Sequence, residues 1–324
     1  MVYLQIAAGL VLLVVGAELL VRGSVSLARR LGVSSLLIGL TLVGFGTSTP
    51  ELVASVTAAL RGSPGIAVGN VVGSNVCNVL LILGVGALIY PLATTRQAFV
   101  RDGPVVLFAS ALMAGVAWYG FLSRPLGAVF LVLLAAYLVY TYVTESRKPD
   151  PSGAVHAAEA EQVAVLSGSW ALAAAMALGG IGVLVLGAAW LVDGAIGIAR
   201  DFEISETVIG LTVVALGTSL PELATTAVAA MRREADVAIG NVVGSNIYNI
   251  LGILGTTALV QPIPMPPEIL AVDLWVMLAA TVLLVAFALT GSRINRWEGA
   301  LLLAGYVGYV GYLTNAAFAG HGGG

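Results

Sequence analysis

Long apolar segments, separated by short polar connectors, run along almost the whole chain. Nearly every segment of 18 or more residues is apolar, which is typical of helices that cross a lipid bilayer. Glycine, proline and charged residues mark the connectors and predict ten spans. The predicted spans cover residues 3–29, 34–60, 64–90, 103–119, 125–143, 169–199, 205–231, 235–260, 268–290 and 297–317. We therefore expect an all-α integral membrane protein in contact with the lipid bilayer.

The composition supports this class. Hydrophobic residues make up 59% of the chain and charged residues 10%, whereas soluble domains carry about 25% charged residues. The single cysteine, Cys77, excludes an intramolecular disulfide framework. The stretch from Met1 to Val15 lacks a basic leader region and continues into a full span, which indicates a first helix and not a signal peptide.

Two segments of the sequence occur twice. Residues 46–52 read Gly-Thr-Ser-Thr-Pro-Glu-Leu and residues 217–223 read Gly-Thr-Ser-Leu-Pro-Glu-Leu, an offset of 171 positions between residue 46 and residue 217. At the same offset, Gly-Asn-Val-Val-Gly-Ser-Asn occurs without change at 69–75 and 240–246. Each half holds five predicted spans, so the second half enters the membrane from the opposite side. This predicts two inverted five-helix repeats, at 1–144 and 169–324, joined by a linker at 145–168.

Basic residues in the connectors predict the orientation. If the N-terminus lies outside, ten basic residues fall in inner connectors and three in outer ones. The inner set is Arg29, Arg30, Arg96, Arg101, Arg147, Lys148, Arg232, Arg233, Arg293 and Arg296, and the outer set is Arg61, Arg124 and Arg200. The positive-inside rule then predicts that both termini lie outside and that the linker is cytoplasmic. We expect a multi-pass protein of the cell inner (plasma) membrane.

A proline and a glutamate interrupt the apolar run of the second span. Pro50 has no N–H to donate and clashes with the preceding turn. Glu51 at a helix centre in a bilayer costs about 2.5–3.5 kcal/mol. The span is therefore predicted to break near Thr47. Ser48 or Thr49 is expected as the N-cap of the helix that follows, with Pro50 at its first position.

The break is expected to leave carbonyl oxygens free between Val43 and Thr47, at the negative end of a helix dipole. Freed backbone at membrane depth is tolerated only where it is buried in protein or lines a cavity. The second copy predicts the same arrangement between Val214 and Thr218, ahead of Glu222.

The inverted repeat is expected to bring Glu51 and Glu222 together near the membrane midplane. With unwound carbonyls and hydroxyls around them, they form an all-oxygen cage. Calcium takes 6–8 oxygens at about 2.3–2.6 Å in irregular geometry. Two carboxylates balance a divalent ion, and without one they repel and take up monovalent cations or protons. Such competition for one cage is the basis of antiport.

The other repeated segment predicts a second wall. Gly69 and Gly73 form a small-residue stripe that allows close helix packing. Polar residues at intervals of four share one face of each copy: Asn70, Ser74 and Asn78, and Asn241, Ser245 and Asn249. For Asn70 and Asn241, the sequence leaves a role in the cage and a role in bridging helices equally open.

Two copies of Gly-Thr-Ser-x-Pro-Glu, each followed by Gly-Asn-Val-Val-Gly-Ser-Asn, resemble the alpha-repeats of the sodium/calcium exchangers in the cation/calcium antiporter superfamily. The similarity covers essentially the whole chain, because its length, ten predicted spans and short central loop resemble prokaryotic members. The resemblance implies a broken-helix core of helices 2, 3, 7 and 8. Proton-coupled relatives generally have Gly-Asn-x-x-Glu at the first motif, so sodium coupling is favoured and proton-coupled calcium exchange is the alternative.

The resemblance also implies ligands. Calcium would be held by the side chains of Glu51 and Glu222 and the backbone oxygens of Thr47 and Thr218. Sodium sites would be built from Ser48, Ser74, Ser219, Ser245, the same glutamates and the carbonyls of Gly44 and Ala215, and Asn78 and Asn249 would line the middle.

The implied activity is secondary active antiport by alternating access, in which the first and sixth spans slide across the bundle and inward sodium flow exports calcium. An enzyme is not expected, since the sequence has no His-Glu-x-x-His motif or P-loop and both histidines lie outside the spans. A passive cation channel is a further rival, which the inverted repeat with broken helices disfavours. We expect no cofactor besides the transported ions, no nucleic acid and no obligate protein partner.

Overall fold

A computed structural model describes residues 2–93, 96–147, 169–291 and 293–319, together with residues 157, 160 and 163. The helices of the first half are α1 (Val2–Arg30), α2 (Ser35–Ile38), α3 (Thr49–Leu60), α4 (Pro64–Val76), α5 (Leu83–Ile89), α6 (Arg96–Tyr119) and α7 (Arg124–Arg147). Those of the second half are α8 (Trp170–Asp201), α9 (Glu206–Ile209), α10 (Ala215–Thr218), α11 (Leu220–Arg232), α12 (Ala235–Ile247), α13 (Gly255–Val260), α14 (Asp273–Gly291) and α15 (Arg296–Ala319). Most of the predicted linker, 145–168, lies outside the described residues.

Several of these helices have the length and apolar composition of membrane spans. Six in the described part of the chain are long and apolar enough to cross a bilayer. The number becomes seven if Glu206–Thr218 and Leu220–Arg232, which are bent by 46° relative to each other, form one span. The predicted all-helical membrane class is confirmed, and the finer count of ten spans in two inverted sets stays a prediction.

Short π-helical segments interrupt the repeated parts of the chain. They comprise Gly39–Val43 after α2, Cys77–Ile82 between α4 and α5, Gly210–Val214 between α9 and α10, and Tyr248–Leu254 between α12 and α13. Segments of this kind are rare and occur frequently at functional sites, because the wider turn redirects side chains and backbone groups. Their positions in the two halves correspond to each other.

The centre of the bundle consists of α4–α5 and α12–α13. Within their most apolar windows, 78% of the residues of Pro64–Ile89 and 72% of those of Ala235–Val260 are buried, against 28% for both α1 and α8. The central pair therefore lies among other helices, whereas α1 and α8 present much of their surface to the surroundings. The repeated Gly-Asn-Val-Val-Gly-Ser-Asn segments occupy this centre.

Helices α1 and α8 pack against each other along their length through glycines. A Cβ on Gly9 would lie 2.7 Å from the backbone nitrogen of Leu191, and one on Gly180 would lie 2.5 Å from that of Leu20. Only a hydrogen fits at such positions, which is why small residues allow helices to approach. Gly179 and Gly182 are different, since a Cβ on either would meet no described atom within 4 Å.

In the described part of the chain, two short antiparallel strand pairs join the halves. β1 (Leu92–Ala93) pairs with β4 (Arg293–Ile294), and β2 (Phe121–Leu122) pairs with β3 (Ile263–Pro264). Each pair links a connector of one half to a connector of the other, so the halves are tied together at the ends of the helices as well as in the core.

Candidate cation site

Glu51 and Glu222 lie at equivalent places in the two halves. Each is in the first turn of a short helix, α3 or α11, that follows an interruption, and each is 1% exposed. α3 begins at Thr49, so Pro50 occupies the second helical position and not the predicted first one. Two fully buried carboxyl groups at helix N-termini, where the dipole favours negative charge, are the central feature of the site.

The serine before each helix contacts the glutamate of the other half. The hydroxyl of Ser48 donates to Oε1 of Glu222 over 2.8 Å, and the hydroxyl of Ser219 donates to Oε1 of Glu51 over 3.0 Å. Ser48 is the N-cap of α3, one of the two residues expected there, and its side chain makes no capping bond to a described amide. Its backbone angles of −87° and 9° differ from the extended conformation in which a side-chain oxygen reaches the first amides of a helix.

The site contains an unusual number of buried polar atoms without a hydrogen-bond partner in the described part of the chain. They are Oε2 of Glu51 and of Glu222, the hydroxyls of Thr47, Ser74 and Ser245, Oδ1 of Asn78, and both amide atoms of Asn249. Leaving one buried polar group unpaired costs about 1–3 kcal/mol. Such a concentration at one place is consistent with groups that bind a ligand, and oxygens are the ligands that calcium and sodium prefer.

Asparagines connect the two halves at the centre. Nδ2 of Asn78 donates to Oδ1 of Asn246 over 3.0 Å, and Nδ2 of Asn246 donates to the carbonyl oxygen of Asn75 over 3.4 Å. All three residues are buried. Asn75 and Asn246 were not among the predicted site residues, although both belong to the repeated motif.

Asn70 and Asn241 bridge helices. Nδ2 of Asn70 donates to the hydroxyl of Ser55 over 2.9 Å and to the backbone oxygen of Glu51 over 3.2 Å. Nδ2 of Asn241 donates in the same way to Thr226 over 3.1 Å and to the backbone oxygen of Glu222 over 3.4 Å. Each amide thus fixes the first turn of the helix that carries a glutamate.

Sequence reasoning missed Ser55 and Thr226, the hydroxyl partners of these amides. The available signal was their position one turn after Glu51 and Glu222, at the same 171-residue offset as the motifs. Residues at i and i+4 share one face of a helix, so a hydroxyl there faces the same neighbour as the glutamate.

A cavity of about 430 Å³ reaches one side of the site. Gly44 and Thr47 line it, together with Gly240, Asn241 and Gly244. Residues 44–48 form turns and not helix, as predicted for the break in the first copy. The prediction that its carbonyl oxygens are free is wrong for Val43 and Gly46, which accept from the N–H groups of Gly46 and Thr49 over 3.0 and 3.3 Å. The predicted site residues of the first interruption are therefore adjacent to a cavity.

The second interruption differs from the first. Ala215 and Thr218 are buried and belong to the helix α10, so the expected unwound stretch between Val214 and Thr218 is wrong. The carbonyl oxygen of Ala215 accepts from the N–H of Ser219 over 3.1 Å. The physical reason is packing: the preceding π-segment lies directly against Gly69 and Gly73 of α4, which keeps this backbone in its helical path.

Other polar residues lie outside the site. Glu18 and Arg22 form an intrahelical ion pair, and Asp193 pairs with Arg61. Cys77 is buried. No group of three or more His, Cys, Asp or Glu side chains that could hold a metal occurs among the described residues, so the candidate site has two carboxylates and otherwise neutral oxygens.

An all-helical membrane bundle with two buried carboxylates at interrupted helices has the features of an ion transporter. The chain belongs to the sodium/calcium exchanger protein family, whose profile matches residues 1–143 and 172–315. The sodium/calcium exchanger MaX1 of Methanosarcina acetivorans is 35% identical over 95% of this chain and 97% of that relative. The inner membrane protein YrbG of Escherichia coli is 36% identical over 94% of each.

A solved structure has the same fold. The sodium-calcium exchanger NCX_Mj, soaked with 2.5 mM Na⁺ and 0.1 mM Ca²⁺, is 35% identical, with a TM-score of 0.62 over 94% of this chain and 96% of that one. The protein is thus a multi-pass membrane antiporter, and its family is one of transporters and not of enzymes.

Proposed function

We propose that the protein is a secondary active antiporter that exchanges sodium for calcium by alternating access, and that inward sodium flow drives calcium out of the cell. The observation that carries the proposal is the reciprocal contact of Ser48 with Glu222 and of Ser219 with Glu51. It holds one oxygen of each carboxylate and leaves Oε2 of each buried and unpaired within the described chain. A divalent cation between the two carboxylates would satisfy both.

The proposed ligand set is the one that the resemblance to the sodium/calcium exchangers implies. Calcium would bind the side chains of Glu51 and Glu222 with the backbone oxygens of Thr47 and Thr218. Two or more sodium ions would replace it and use the hydroxyls near the carboxylates. The sodium ligands would be Ser48, Ser74, Ser219 and Ser245, the two glutamates and the carbonyls of Gly44 and Ala215, with Asn78 and Asn249 lining the middle. Since both loads need the same carboxylates, they exclude each other.

The proposed topology places residues 1–144 and 169–324 as inverted repeats of five spans each, with the termini outside and the 145–168 linker in the cytoplasm. Arg232 and Glu234 line the cavity at the loop between α11 and α12, which belongs to the connectors rich in arginine. The cavity would therefore open towards the cytoplasm. The structure would then represent the inward-facing state of the transporter.

The test is calcium-45 uptake into proteoliposomes under sodium, potassium and proton gradients imposed one at a time. We expect uptake with an outward sodium gradient alone. Uptake driven by a pH gradient without sodium would establish proton coupling instead. Calcium current without any counter-gradient would indicate a channel and refute antiport.

A further inference from the structure

Equivalent side chains of the two repeats make a hydrogen bond in one copy and not in the other. The hydroxyl of Thr218 lies within hydrogen-bond distance of Oδ1 of Asn70, at 3.1 Å, and of the backbone oxygen of Val214 in its own helix, at 3.0 Å. Thr218 and Asn70 are both buried. The corresponding pair is Thr47 and Asn241. Both line the cavity, and the Thr47 hydroxyl has no partner within the described residues.

A second pair shows the same difference. Asn78 donates to Oδ1 of Asn246. In the equivalent pair, Asn249 and Asn75, both amide atoms of Asn249 and Oδ1 of Asn75 are buried without a partner in the described chain. In both pairs the hydrogen bond is therefore made in one copy and not made in the equivalent copy.

The packing of the two repeated segments also differs between the copies. A Cβ on Gly69 would lie 2.6 Å from the backbone oxygen of Thr207, and one on Gly73 would lie 2.5 Å from that of Leu211. On Gly240 or Gly244, a Cβ would meet no described atom within 4 Å. The segments at 69–75 and 240–246 are identical, so the difference comes from the distance of the packing partner and not from the residues.

We propose that Asn70 and Asn241 are positioning residues that act as alternating latches. The Asn70–Thr218 bond holds one side of the site closed in the described state. In the opposite state this bond breaks, the Asn241–Thr47 bond forms, and Gly240 and Gly244 come into close contact with the segment at 36–44. The inference rests on the proposed antiport by alternating access.

Alternation between the two latches is possible because the two states have nearly equal free energies. Each closure makes one threonine–asparagine bond and two close glycine contacts and breaks the equivalent ones, so their free energies nearly cancel. A small free-energy difference is what allows ion binding to shift a two-state equilibrium. A threonine hydroxyl carries one proton to donate, so its removal affects one latch only.

The reporter for the opposite state is Ala54→Cys. Ala54 is fully buried, whereas its equivalent, Thr225, lines the cavity. Alkylation of a thiol at position 54 by a polar maleimide therefore requires the latch at Asn70 to open. The unaltered chain, whose single cysteine is buried, gives the background, and Thr225→Cys gives the rate for the open cavity. The protein is labelled in lipid nanodiscs, in which both membrane faces are accessible.

In the Ala54→Cys background, Thr218→Val is expected to raise the alkylation rate about fivefold, the population change that corresponds to one ordinary hydrogen bond. Thr47→Val is expected to lower it by a similar factor, and the double variant to restore the parent rate. Thr218→Ser and Thr47→Ser retain the hydroxyl and leave the rate unchanged. Simple destabilisation would raise the rate in both valine variants.

The latch proposal would be refuted if both valine variants changed the alkylation rate in the same direction. It would also be refuted if a serine variant changed the rate as its valine counterpart does. The labelling needs no ion gradient, so it is separate from the proposed cargo. If the protein showed no sodium-driven calcium uptake but the expected labelling pattern, the proposed sodium/calcium exchange would be refuted and the latch proposal would stand. Uptake with no effect of either threonine would refute the latches alone.

Discussion

Ser48 donates a 2.8 Å hydrogen bond to Glu222, although 174 residues separate them in the sequence. Its counterpart joins Ser219 to Glu51 over 3.0 Å. Each half of the chain therefore orients the carboxylate of the other half. Neither half contains a complete site, and this dependence explains why both copies of the motif keep the serine three positions before the glutamate.

Neutralising either carboxylate is expected to abolish exchange. Glu51→Gln or Glu222→Gln removes one of the two charges that balance a divalent ion, in a buried site where water does not replace it. Calcium-45 uptake in proteoliposomes should fall to background, and the thermal unfolding temperature should not fall. Glu18→Gln is the matched control, because Glu18 forms an exposed pair with Arg22 worth about 0–1 kcal/mol. Normal uptake by either site variant would contradict the proposed role.

Removing one serine hydroxyl is expected to weaken calcium binding without abolishing it. A hydrogen bond to a charged group contributes about 1.5–3 kcal/mol, so Ser48→Ala or Ser219→Ala should raise the half-saturating calcium concentration about tenfold to a hundredfold. Ser110→Ala is the control, since the Ser110 hydroxyl is buried and contacts the hydroxyl of Thr281 and not a carboxylate. An unchanged calcium dependence in both site variants would show that the serines do not orient the carboxylates.

Substitution of alanine for Gly69 and for its equivalent, Gly240, is expected to have different effects on stability and exchange. Gly69→Ala forces a Cβ to within 2.6 Å of the Thr207 carbonyl, an overpacking that costs typically about 1–3 kcal/mol. Gly240→Ala meets no described atom and should leave the melting temperature unchanged while slowing exchange, because the cavity could no longer close. Melting curves and calcium-45 uptake measure the two effects. Equal destabilisation by both substitutions would contradict the asymmetry of the repeats.

Packing of α1 against α8 gives a prediction about stability. A Cβ on Gly180 would lie 2.5 Å from the Leu20 nitrogen, whereas one on Gly182 meets no described atom. Gly180→Ala should therefore lower the free energy of unfolding by about 1–3 kcal/mol, and Gly182→Ala should change it by less than about 0.5 kcal/mol. Thermal melting in detergent compares them. A larger loss for Gly182→Ala would show that α8 packs by a different face.

The positions of Glu51 and Glu222 were predictable because a charged residue in an apolar span is costly and was found twice in the same context. The first interruption followed for the same reason, since Pro50 cannot continue the hydrogen bonds of the preceding turn. The second interruption was predicted by analogy and was wrong in form: α10 stays helical up to Thr218. Local sequence does not distinguish the two, because the decisive contact comes from another helix.

Cross-repeat contacts were beyond sequence reasoning. Nothing near Ser48 indicates that its hydroxyl reaches Glu222 instead of capping α3, and nothing near Asn70 indicates Thr218 as its partner. Such pairs depend on how two distant segments are placed by the packing of the whole bundle. The hydroxyls of Ser55 and Thr226 were the exception, because their spacing from the glutamates is helical and repeated.

By itself, the sequence determined the membrane class, the internal repeat and the positions of the two buried carboxylates and of the polar residues around them, since these follow from hydrophobicity and from motif spacing. Tertiary structure alone decided which of two identical segments is packed and which faces a cavity. Residues 69–75 and 240–246 have the same local preferences, yet Gly69 contacts a neighbouring helix closely and Gly240 does not. The difference lies in the placement of the partner helices, which short-range interactions along the chain do not determine.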